Sequence, residues 1–208
     1  MFYAGRFPVL LTLVVSVAIV GCSSQINSSQ KSDTSSEKTL QQQNQSLSEA
    51  KQEKAKGLIA QGNQKLANGN YQQAIADFDE AIAIDDNNAN AFSNRGMARS
   101  RLENHQSAIA DYNRALALDP EAPKVYYNRG LAQTRLKNYK RAVKDFTQAI
   151  EQKSDFAQAI GSRGFAYAKL ENYTAAIEDL EKASQLYQER GEKKLSYRLQ
   201  RAARYINP

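Results

Sequence analysis

Two side chains bound the chemistry open to this chain of 208 residues, because it has one cysteine, Cys22, and one histidine, His105. A single thiol forbids an intrachain disulfide and any zinc site built on paired cysteines. A single imidazole gives no histidine-rich metal cluster, and no Ser–His–Asp or Cys–His constellation is recognisable around it. The acidic pair Asp85-Asp86 falls where a helix should end and reads as solvated charge, not as a general acid and base. The chain is therefore expected not to be an enzyme and to need neither cofactor nor metal.

What remains for Cys22 is attachment. Arg6 precedes an apolar stretch from Val9 to Val20, and then come Gly21 and Cys22. That is the layout of an export signal. That run of twelve residues makes about 18 Å of helix, short of a hydrocarbon core of about 30 Å. Ile19-Val20-Gly21-Cys22 resembles the lipobox of bacterial lipoproteins, which implies cleavage after residue 21 and lipidation of Cys22. An uncleaved signal anchor with an idle thiol is the alternative. Either reading expects the remainder to lie outside the cytoplasm, tied to a membrane of the cell envelope.

Residues 23–52 hold nine Ser and seven Gln with few apolar side chains. Such a composition buries too little surface to offset ordering entropy, so residues 22–52 are expected to be a disordered tether. The net charge of +6 is concentrated at the far end, where residues 187–208 carry six basic and two acidic side chains. Residues 55–186 are nearly neutral, with seventeen basic and sixteen acidic side chains. That balance is a poor footprint for nucleic acid.

From residue 55 the sequence repeats itself every 34 residues. One column runs Gly62, Gly96, Gly130, Gly164, and another Tyr71, His105, Tyr139, Tyr173. Further columns run Ala74, Ala108, Ala142, Ala176, then Phe78, Tyr112, Phe146, Leu180, then Ala81, Ala115, Ala149, Ala183. Apolar residues one turn apart make each unit a pair of helices. Asn68-Gly69-Asn70, Glu103-Asn104, Lys137-Asn138 and Glu171-Asn172 supply the turns between them. The small residues let the paired helices approach closely, and Asp119-Pro120 closes the second unit.

Asn94-Arg95-Gly96, Tyr112-Asn113-Arg114-Ala115 and Asp119-Pro120, at that period, resemble the tetratricopeptide repeat. The resemblance covers residues 55–188 and departs locally, with His105 for an aromatic, Leu180 for a ring, and Asp86, Ser154 and Gln188 for the closing proline. It implies an all-α fold, a right-handed superhelix of four helix hairpins plus a C-terminal capping helix. The domains would be 1–21 signal, 22–52 tether, 53–190 repeats (55–88, 89–122, 123–156, 157–190) and 191–208 cap.

Two further columns are charged. Residues facing each other across an antiparallel hairpin have a constant sum of numbers, which pairs Arg95 with Asp111, Arg129 with Asp145 and Arg163 with Asp179. Asp77 faces only Gln61. These pairs are expected to be structural, giving specificity more surely than stability. Leu195, Leu199, Ala202 and Ile206 lie on one face of the last helix and are expected to cover the final repeat. Lys194, Arg198 and Arg201 on its other side are either a solvated cap or a surface attracted to anionic lipid or an acidic partner.

In the resembled family the first helices line a concave surface that takes extended peptides. Carried over by column, that surface holds Asn63, Met97, Leu131 and Phe165, then Ile59, Ser93, Tyr127 and Gly161, then Asn94, Asn128 and Ser162. Arg101, Arg135 and Lys169 stand at its edge. Amides and cations can hold a peptide backbone and carboxylates while the apolar column takes side chains. The opposing reading packs Met97, Leu131 and Phe165 between neighbouring first helices. A chaperone-binding subclass uses a five-residue carboxylate clamp; Asn63, Asn94 and Lys124 match it, but Ile59 and Asn128 do not. The expectation is a monomeric scaffold for a protein or peptide partner, either an adaptor or an assembly lipoprotein of pilus, outer-membrane barrel or enzyme-accessory type.

Overall fold

The computed structural model describes residues 29–206, which divide into one unit running to Ser46 and another from Leu47 onward. The apolar run, Cys22 and the start of the Ser/Gln-rich segment lie outside the described residues. Among the described residues there are nine α-helices and no strand. They are α1 (Ser29–Ala67), α2 (Tyr71–Ile84), α3 (Ala89–Arg101), α4 (His105–Leu118), α5 (Pro123–Arg135), α6 (Tyr139–Gln152), α7 (Ala157–Lys169), α8 (Tyr173–Glu189) and α9 (Lys193–Ile206).

The expected disordered tether is corrected from Ser29 onward, where the chain is already helical. No glycine or proline interrupts residues 23–56, and the stretch from Glu37 is rich in Glu, Gln, Lys and Ala. These are strong helix formers. A helix growing backwards from a packed end needs no new nucleus, which removes the main obstacle to forming it. Every described side chain from Glu37 to Lys54 is exposed, so burial contributes nothing to this stretch.

From Ala55 onward helices alternate as hairpins. Each turn between a first and a second helix contains one residue in the left-handed region: Gly69, Glu103, Lys137 and Glu171, with φ between 59° and 81°. The backbone closes each turn in the same way. Asn70 N–H donates to the Lys65 carbonyl, and Asn104, Asn138 and Asn172 donate to the carbonyls of Arg99, Gln133 and Tyr167. This six-to-one bond is the Schellman ending of a helix. Only Gly69 carries the conformation without a Cβ penalty. The second helix then starts after an asparagine in all four units.

The glycine column sets the contact inside each hairpin. A Cβ placed on Gly62, Gly96 or Gly130 would lie 2.6, 2.9 or 2.6 Å from the ring of Phe78, Tyr112 or Phe146. Those rings are fully buried. At Gly164 a Cβ would meet the Ala176 carbonyl and Leu180 at 3.1 Å. The hairpins stack in order, and α3 also meets α5 as α5 meets α7.

The charged columns tie one hairpin to the next. Arg95 Nη2 reaches Asp111 at 2.6 Å, Arg129 Nη2 reaches Asp145 at 2.6 Å and Arg163 Nε reaches Asp179 at 2.8 Å. The three aspartates are buried. The same arginines also reach back one repeat: Arg95 to Asp79 at 2.7 Å, Arg129 to Asn113 at 2.8 Å and Arg163 to Thr147 at 3.1 Å. For Arg95, burial disfavours the charge, but the bonds to Asp111 and Asp79 outweigh it and hold its pKa above the ordinary value. For Arg163 the Asp179 bond dominates, with the same outcome. Gln61 does not serve Asp77, as the facing rule had it. Lys65, one turn further on, supplies a cation at 2.6 Å, and Arg99, 34 residues later, likewise reaches Asp111 at 2.9 Å.

Arg129→Met should lower stability by about 3 kcal/mol, because it strands the buried Asp145 carboxylate. Arg129→Met with Asp145→Leu should recover most of that loss. Urea melts of the three proteins give the comparison, and a double variant no better than the single would show that the charge is not what the pair contributes.

Candidate functional site

Two hollows on the inner surface formed by the first helices involve the column residues. One, of about 400 Å³, lies between α3 and α5 and is lined by Met97, Arg101, Asn128, Leu131 and Arg135 among others. The structure thus brings together five of the residues that the repeat columns single out. Leu131 is 36 % exposed and Phe165 is 47 % exposed. Neither side chain packs into the core, so the apolar column opens to solvent at these two places. Met97 is half-buried.

The amides are placed differently. Asn94 donates through Nδ2 to Asn63 Oδ1 at 2.8 Å, tying α3 to α1. Lys124 is exposed at the start of α5. Tyr127 has a double role. Its ring packs against Phe146 and Phe156, with centroids 5.9 and 5.0 Å away. Burial raises its pKa, and a hydrogen bond from Ser162 partly offsets this. Its remaining edge lines the second hollow.

That second hollow, of about 440 Å³, lies between α7 and α9, with Gly161, Phe165, Leu195, Arg198 and Leu199 in its wall. Helix α9 packs on the last hairpin as expected of a cap, but it does not bury the whole of its apolar stripe there. The residues of α9 that are buried are Ser196 and Ala203, and Ser184 Oγ donates to the Ser196 carbonyl at 3.0 Å. Small side chains bring α9 close to α8, which turns its apolar stripe towards the inner surface instead. Only Leu199 of that stripe packs on the core, and Leu195 is 37 % exposed. Thirty-four residues beyond 161, 162 and 165 stand 195, 196 and 199, so α9 continues the register of the first helices. The 34-residue step carries that signal in the sequence itself.

The cations fall into two groups. Arg95, Arg99, Arg129 and Arg163 each have a carboxylate. Among the described residues, Arg101, Arg135, Lys169 and Arg198 make no ion pair, and all four are exposed. The repeat columns already set Arg95, Arg129 and Arg163 apart from Arg101, Arg135 and Lys169; the pairing of Arg99 with Asp111 is what they did not give. His105 also borders the first hollow, with Nδ1 3.5 Å from Ser100 Oγ, a place that its column alone does not imply. Among the described residues no helix is long and apolar enough to cross a membrane, and no group of three or more His, Cys, Asp or Glu could hold a metal ion.

Three family models described as tetratricopeptide repeat match residues 59–123, 95–160 and 157–190. No curated protein matches the sequence significantly. Among solved structures, MamA (residues 41 to the end) from Desulfovibrio magneticus is 20 % identical, with a TM-score of 0.60 over 74 % of this chain and 94 % of that one. The pilF protein of Pseudomonas aeruginosa is 20 % identical, with a TM-score of 0.59 over 74 % of this chain and 78 % of its own. At that identity the likeness is one of fold. The first tetratricopeptide domain of Spaghetti (RPAP3), solved bound to the HSP90 peptide SRMEEVD, is 29 % identical, with a TM-score of 0.56 over 57 % of this chain and 94 % of that one.

Tyr112 borders the first hollow, and burial pushes its phenol well above the ordinary value. Below about pH 10 it is neutral folded or unfolded; above that the unfolded chain ionises first, so stability falls as pH rises. Tyr112→Phe should move the alkaline unfolding midpoint upward in a circular-dichroism titration. An unmoved midpoint would mean that this phenol does not set alkaline stability.

Proposed function

Residues 59–190 place the chain in the tetratricopeptide-repeat family, a fold of protein-interaction scaffolds, and on that premise we propose that its inner surface holds an extended, acidic peptide segment of a protein partner. The observation that carries this reading is the unpaired cation column beside the open apolar one. Arg101, Arg135 and Lys169 recur at one helix position with no ion pair among the described residues. Leu131 and Phe165 lie on the same helices, 36 % and 47 % exposed. A cation left in water attracts carboxylates, and a large apolar side chain left there gains by covering. The acidic SRMEEVD peptide on the RPAP3 domain is consistent with that chemistry. This chain keeps only Asn63, Asn94 and Lys124 of the five clamp positions, so its grip depends on the edge cations instead.

The proposal extends to place. The lone cysteine at the end of the apolar run supports lipidation of Cys22 and a membrane-tethered, extracytoplasmic scaffold. An adaptor for an envelope complex, of the enzyme-accessory or pilus and barrel-assembly kind, fits such a tether. No catalytic role enters this reading.

Capture from solubilised membranes tests the surface. Leu131→Ala with Arg135→Ala should weaken the recovered partner's binding ten- to hundredfold, the ordinary effect of truncating an interface anchor, with the helical melt nearly unchanged. Equal capture by the double variant, or a melt that collapses, would return these side chains to a packing role. For the tether, Cys22→Ser should release the protein to the soluble fraction or leave its precursor uncut. Unchanged mass and membrane partition would remove the lipid.

A further inference from the structure

Tyr127, Gly161 and Leu195 stand at equal 34-residue steps on α5, α7 and α9, and all three line the second hollow. The middle position has no side chain. A Cβ there would meet Ala183 at 3.5 Å and Leu199 at 3.8 Å, which is ordinary contact, so Gly161 is not required by close packing as Gly62, Gly96 and Gly130 are. Its missing side chain leaves the hollow open. At about 440 Å³ the space lies within the range of pockets that bury ligand groups, roughly 300–1,000 Å³. An adjoining hollow of about 420 Å³ continues over Phe165 and Ala202 to Lys169 and Ile206.

The charged residues that line the two adjoining hollows are both cations, Arg198 in this one and Lys169 in the next. Helix α9 carries Lys193, Lys194, Arg198, Arg201 and Arg204 and no acidic residue. Arg198 faces the hollow without an ion pair among the described residues. The apolar walls are set inside, between two helices, and do not form the continuous protruding face that lies in a lipid surface. A single side chain can enter them; a bilayer cannot.

We propose that this hollow is the anchor site of the bound segment: it takes one bulky apolar side chain, of Phe or Leu size, from an acidic peptide whose neighbouring carboxylates meet Arg198 and Lys169. This deepens the groove reading above and rests on it. The fixed feature of the partner is then an aromatic or branched apolar residue within an acidic run.

The test uses the full chain and two fluorescein-labelled peptides of Asp, Glu and Ser, one with a single central Phe and one with Ala in its place. In fluorescence anisotropy the Phe peptide should bind at least about tenfold more tightly. Gly161→Leu, which fills the hollow, should abolish that preference. Arg198→Glu should weaken both peptides about tenfold and leave the melt unchanged. Where Gly161→Leu does not melt like the parent, the exposed Phe165→Ser replaces it, with the same loss of preference expected. Equal binding of both peptides, still weakened by Leu131→Ala with Arg135→Ala, would leave the groove reading and overturn the anchor. Binding of neither peptide would overturn both. Phosphatidylglycerol vesicles that bind the parent but not Arg198→Glu, with neither peptide bound, would assign α9 to a lipid surface and overturn the proposal.

Discussion

Two helices lie close only where one of them gives up a side chain, and here the ring of the second helix fills the notch left on the first. With Phe78, Tyr112 and Phe146 seated over Gly62, Gly96 and Gly130, neither helix can turn about its own axis without a clash or a void. That fixes what the neighbouring residues face. Successive side chains on a helix differ by about 100°, so the residue before each glycine and the one after it point to opposite flanks. Arg95, Arg129 and Arg163 come before, and they reach the aspartates. Met97, Leu131 and Phe165 come after, and they reach the inner surface. One steric contact therefore sorts the structural charge from the apolar column of the inner surface.

The same triplet changes at the last described helix. At α9 it reads Tyr197-Arg198-Leu199, so the guanidinium has moved into the glycine column. A long, charged side chain there leaves no notch of the kind that Gly62, Gly96 and Gly130 provide. Tyr197 stands where the next ladder arginine would be, and it is 60 % exposed. The backward partners of the ladder weaken along the chain, from Asp79 to Asn113 to Thr147. The last step, onto α9, is a neutral contact between Ser184 and Ser196. A terminal helix held by small polar contacts has no need to present its apolar stripe to the core.

The period, the turns and the arginine–aspartate pairs were legible because each is a relation within one hairpin, and antiparallel geometry makes such relations arithmetic. Bonds between hairpins were not. Arg95 with Asp79 and Asn94 with Asn63 depend on the offset of one unit on the next, which no single repeat encodes. Lys65 rather than Gln61 serves Asp77 because a long side chain can span a helical turn that facing arithmetic treats as fixed. The helix from Ser29 was missed for another reason: composition measures burial, and from Glu37 to Lys54 the helix forms without it. For α9, the four-three-four spacing marked an apolar face correctly, yet spacing does not say which neighbour the face meets. The small residues Ser196 and Ala203 decided that.

Four equal units would give a surface without direction, since any grip on one would be repeated on the next. Here the column that follows the glycines runs Asn63, Met97, Leu131, Phe165 and Leu199, polar at its start and increasingly apolar towards the end. The column beside it runs Ile59, Ser93, Tyr127 and Gly161, and the missing side chain at Gly161 opens space where the neighbours are largest. Arg101, Arg135 and Lys169 stay constant alongside over the last three units, the first having Ala67 there. Charge that repeats with each unit attracts an acidic chain in any register, because one step along the groove exchanges one cation for another of like sign. Apolar shape that changes with each unit does not allow that exchange, since a bulky side chain fits only where a side chain is missing. Register and direction on such a surface come from the departures from the repeat, and attraction from what the repeat keeps.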